Sequence, residues 1–134
     1  MTAIHALLGF AAWTLLLVIV VFLYRGVRCA GGAAINSWPR NEKNANDLPF
    51  ARRVADGHAN CLENLAIFTV IVFAAAQTGR LEAIGALAPW VLYARIGQSL
   101  AHLSGVGQAH VFVRAGFWAV QLVLFVWMMA RLFA

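Results

Sequence analysis

Charge is scarce in this sequence: Asp, Glu, Lys and Arg together make up 11% of its 134 residues, where soluble domains carry roughly 25%. Acidic residues are the rarer sign, five against ten basic ones. Only two cysteines occur, Cys29 and Cys61, with no CxxC spacing and no paired framework. That excludes a disulfide scaffold and leaves both as reduced, small, apolar-compatible side chains. A P-loop, a dinucleotide fingerprint, a nucleophile elbow and an HExxH pair are all missing. So are internal repeats and low-complexity tracts. The net charge of +5 comes without an RRM, KH or helix-turn-helix pattern, so nucleic acid is not the expected partner.

What is there is apolar. Hydrophobic residues reach 63% and the mean hydropathy is +0.78, which is membrane-protein composition. The chain reads as one domain, residues 1–134, all-α, with helices at about 4–25, 48–77, 81–103 and 110–133. Ala6 to Tyr24 is the cleanest span, long enough for a hydrocarbon core of ~30 Å. Its arginines follow the apolar run rather than precede it, unlike a cleaved leader. Asp47 is the expected N-cap of the second helix, with Pro49 in its first turn, and Gly79 its expected stop. Pro89 predicts a kink in the third helix. Short later connections imply an antiparallel four-helix bundle in the membrane.

Arg25, Arg28, Arg40, Lys43, Arg52 and Arg53 crowd the first connection, against Arg80 in the second and Arg131 near the end. By the positive-inside rule the first and third connections are cytoplasmic and both termini outside. Alternating topology then places the start of helix two, the end of helix three and the start of helix four at one surface. Each carries a polar stripe at helical spacing: Arg53, Asp56, Asn60 and Glu63; Arg95, Gln98 and His102; Arg114, Trp118 and Gln121. The three stripes are expected to form one site facing the cytoplasm. Charged groups inside a membrane face a bundle interior or a wet cavity. Two bland readings stay open: snorkelling of Arg53 and His102 to the headgroups, and a structural ion pair of Glu63 with Arg95 or Arg114.

His5, His58, His102 and His110 suggest no metal or haem, because His58 and Cys61 alone do not make a ligand set. Trp13, Trp38, Trp90 and Trp127 read as interfacial or lipid-facing aromatics. Gly97, Gly105, Gly107 and Gly116 read as close-packing positions.

The stretch "RRVADGHANCLENLAIF" resembles the second-helix signature of the MAPEG family, membrane-associated proteins in eicosanoid and glutathione metabolism. "YARIGQSLAHL" resembles the family's third helix and "VFVRAGFW" its fourth. The resemblance covers nearly the whole chain and is closest to bacterial-type members, so a bacterial inner membrane is the expected location. It implies a homotrimer binding glutathione at its subunit interfaces, with membrane lipid and a lipophilic small molecule as further partners. Carried over, Asn60 and Glu63 hold the peptide, Glu63 near its amino end, and Arg95 belongs to the same site. His102 falls at a tyrosine that contacts glutathione, Gln98 where some relatives have histidine, and Trp118 at another tyrosine. Arg53 joins the binding set, and Arg114 is the catalytic residue beside the thiol. Asp56 and Ala59 stand where relatives carry basic residues, which removes positive charge and gives eicosanoid synthesis little support.

The implied chemistry is that of a glutathione transferase. A free thiol ionises near pH ~8.5, so half-ionisation at neutral pH requires about 2 kcal/mol of stabilisation. One arginine in a low-dielectric site supplies that much. The reading leans toward an enzyme attacking lipophilic electrophiles. The alternatives are a catalytically silent scaffold of the same fold, or a small proton-coupled transporter using Glu63.

Overall fold

The computed structural model describes residues 1–39 and 46–134. Five helices follow in order: α1 (Ala3–Ala30), α2 (Pro49–Gln77), α3 (Leu81–Gly85), α4 (Ala88–Ser104) and α5 (Gln108–Phe133). Among the described residues there is no strand. Arg40 and Lys43 of the basic connection lie outside the described residues.

Three helices, α1, α2 and α5, are long and apolar enough to cross a membrane. The third rod is divided. Pro89 has no N–H to give to Gly85 and its ring crowds that carbonyl, so the regular bonding lapses between Gly85 and Ala88. Ala86 and Leu87 stay near helical dihedrals. The tighter bonds Leu87 N–H to Ile84 and Trp90 N–H to Leu87 carry the chain across. The bend predicted at Pro89 is therefore a short step between α3 and α4.

Both long N-terminal helices end in the same device. Gly32 (φ 98°) and Gly79 (φ 68°) adopt the left-handed conformation that glycine alone takes readily. Behind them, Ala33 N–H bonds Arg28 and Arg80 N–H bonds Ala75, closing Schellman caps on orphan carbonyls. The start of α2 differs from expectation. Leu48 holds the N-cap position without a side-chain cap. Asp47 instead accepts from Tyr24 Oη at 3.2 Å and Trp38 Nε1 at 2.8 Å, so it closes the connection rather than capping the helix.

The bundle is antiparallel. α1 packs along α2, while α4 touches α1, α2 and α5; among the described residues α1 and α5 do not meet. Phe10, Phe68 and Phe125 form a ladder from α1 through α2 to α5, with ring centres 6.0 and 6.1 Å apart. Gly97 lets α4 and α5 close up, since a Cβ there would meet the Phe117 ring at 2.7 Å. Gly105 likewise lies against the His110 imidazole, whereas Gly116 has open space at its Cβ position among the described residues of this chain.

Three arginines tie helix ends together. Arg53 donates to the Leu103 carbonyl at 2.9 Å, Arg80 to Leu132 at 2.7 Å and Arg131 to Ala83 at 3.2 Å. Each accepting carbonyl sits in the last turn of another helix, where no intrahelical donor reaches it. The outside of the bundle is apolar: Phe22, Leu23, Val70, Phe73, Trp90, Val123 and Trp127 are all exposed. Water would penalise such a surface, whereas lipid is its natural solvent.

Candidate functional site

The polar stripes separate into an inner network and an outer set. The inner network centres on Arg95 of α4, which is only 1% exposed. Its Nη1 donates to Asn60 Oδ1 on α2, and its Nε donates to Gln121 Oε1 on α5 at 3.1 Å. The guanidinium carbon lies 5.4 Å from the ring centre of Phe10 on α1, within cation–π range. Nη2 is buried and makes no hydrogen bond among the described residues. The hydrogen-bond acceptors are therefore amide oxygens, and the Glu63 carboxylate balances the buried charge only through space. Taking such a charge out of water costs several kcal/mol, which these contacts offset in part.

Gln121 extends the network. It accepts from Asn64 Nδ2 at 3.1 Å and donates to Gln98 Oε1 at 2.8 Å and to the Phe117 carbonyl at 3.1 Å. Beside it, Cys61 Sγ and Ser99 Oγ are 3.6 Å apart. Cys61 and Cys29 are both free thiols. Among the described residues no three His, Cys, Asp or Glu side chains gather as a metal site.

The outer set faces away. Glu63 is exposed and Arg114 half-buried, and neither makes a hydrogen bond or ion pair among the described residues. Glu63 is fourteen residues from either end of α2 (63 − 49 = 77 − 63 = 14), about 21 Å along the axis at 1.5 Å per residue. Trp118 is exposed one turn beyond Arg114, and His102 is half-buried in the last turn of α4. Arg53 is engaged by Leu103 and also lies 6.0 Å from the Phe50 ring.

The structure thus brings Asn60, Arg95 and Gln98 together and leaves Glu63, Arg114 and Trp118 outside that cluster. Within this chain Glu63 makes no salt bridge with Arg95 or Arg114, although its carboxylate attracts the Arg95 guanidinium through space. Asn64 and Gln121 are network members to which the sequence assigned no ligand role. For Asn64 the signal was available: it follows Asn60 by four residues and so shares its face.

The sequence model of the MAPEG family matches residues 3–134. No curated protein and no solved structure matches the chain.

Proposed function

The chain belongs to the MAPEG family of membrane proteins, and from that premise we propose that it binds glutathione between the subunits of a homotrimer and ionises its thiol. Family membership supports the membrane location and the link to glutathione. One observation carries the rest: Glu63 and Arg114 are at least partly exposed on helices long and apolar enough to cross a membrane, and neither makes a hydrogen bond or salt bridge among the described residues. Charged side chains are not left facing hydrocarbon. A neighbouring copy would cover them, and a ligand bearing both an ammonium and carboxylates would complement them.

Under this proposal the groups that can meet the ligand are Arg53, Asn60, Glu63, His102, Arg114 and Trp118, all at least partly exposed. Arg95 and Gln98 are buried and support the site from within. Arg114 holds the thiolate by charge alone, since arginine stays protonated. The thiolate then forms a carbon–sulfur bond to an apolar electrophile arriving from the bilayer, and the electrophile's leaving group, a halide for an aryl halide, departs with the electron pair of the bond it breaks. The cytoplasmic opening and the bacterial inner membrane belong to the same proposal, supported by the basic first connection.

The test uses the purified protein in mild detergent. Its mass is expected to correspond to three copies of the 14.6 kDa chain, and titration calorimetry to show saturable glutathione binding. A monomer that binds no glutathione would sink the reading.

A further inference from the structure

Gln121 is fully buried, and its amide is occupied on every side. Two donors reach Oε1, from Arg95 and Asn64, and two acceptors face Nε2, from Gln98 and the Phe117 carbonyl. The Phe117 carbonyl can only accept, so the amide nitrogen faces it and the oxygen is turned toward Arg95. The residue's own helix therefore sets the amide. Arg95 carries that orientation further, because its N–H groups are fixed in one rigid plane. With Nε on Gln121, Nη1 is aimed at Asn60 Oδ1. Asn60 is then pinned by its oxygen, and its Nδ2 makes no hydrogen bond among the described residues. Asn60 is also the half-buried member of this chain of contacts, so its amide N–H₂ is the part of the relay that a ligand can reach.

We propose that Gln121 and Arg95 are positioning residues that present the Asn60 amide nitrogen as a donor to an oxygen of glutathione. This rests on the glutathione reading given above. Arg95 acts from behind Asn60 and does not itself hold the ligand.

A double-mutant cycle on the full-length protein tests it, with glutathione affinity as the readout. Gln121→Leu removes the acceptor that fixes Arg95 and is expected to weaken binding about fivefold, what one hydrogen bond of roughly 1 kcal/mol contributes. In an Asn60→Ala background the same substitution should weaken it less than twofold. Arg95→Lys keeps the charge but not the rigid planar fork and is expected to weaken binding about as much as Gln121→Leu. Equal losses in both backgrounds would overturn the relay. So would an Arg95→Lys protein that binds like wild type, since that outcome means the charge of Arg95 acts on the ligand without orienting Asn60. Should Gln121→Leu not fold, the Arg95→Lys affinity decides by itself. A wild-type protein without saturable binding overturns the glutathione reading and the relay together, and shows it before any substitution is made.

Discussion

Replacing Arg114 with alanine is expected to raise the pH at which the bound glutathione thiol ionises by about one pH unit or more, as loss of a nearby opposite charge does. Absorbance of the thiolate in the ultraviolet, followed during a pH titration, reads this directly. In the wild type the signal should rise near neutral pH. In the variant it should rise at higher pH, so that the thiolate fraction at pH 7 falls from about half to about a tenth or less. Conjugation to a reactive aryl halide should fall in step. The substitution is mild structurally, because Arg114 is half-buried and leaves no hydrogen-bond partner orphaned among the described residues. The number of subunits in the assembly should therefore be unchanged. A wild-type complex that binds glutathione with no thiolate signal below pH 8 would reduce the protein to a binder. An unchanged titration in the variant would move attention to Arg95.

Glu63→Gln has the next largest expected effect. The two side chains are nearly the same size, and Glu63 is exposed with no hydrogen bond or salt bridge among the described residues, so the change removes charge and little else. If the carboxylate faces the ligand's ammonium, the lost charged hydrogen bond amounts to roughly 1.5–3 kcal/mol, or about tenfold or more in affinity. Calorimetric titration of glutathione into the variant measures it. Affinity equal to wild type would strip Glu63 of its assigned role. It would leave unanswered why an acid sits midway along a spanning helix.

The two charges also show where the sequence stops being informative. Three of the four expected spans were legible because a lipid-crossing helix announces itself by length and apolarity, and the family signature lies in contiguous residues. The spacing of Asn60, Glu63 and Asn64 fixes their angles around α2 but not which side turns inward. Glu63 and Asn64 are neighbours about 100° apart; one is exposed and the other buried. Only the packing of α1, α4 and α5 against α2 decides that. Asp47 shows the same limit differently: a helix-start acid looks like a cap locally, but Tyr24 and Trp38 compete for it from elsewhere in the chain. Gln121 looked like one polar residue at the end of a stripe. Its place at the centre of a network depends on Arg95 and Asn64, which lie 26 and 57 positions away.

The paired arginine contacts at the far end of the bundle anchor one end of α5. Arg80 grips its last turn and Arg131 grips α3 in return. Midway, the buried Gln121 and the Phe117 ring against Gly97 hold the helix to α4. At the other end, most residues from Gln108 to Gly116 are exposed, with only His110 and Arg114 partly covered. Arg114 stands seven residues before Gln121 (121 − 114), about 10 Å along the axis. The guanidinium proposed to meet the thiol therefore rides on a lightly braced stretch of α5, two turns beyond its last buried side chain, where in the proposed trimer a ligand or a neighbouring subunit supplies the missing contacts.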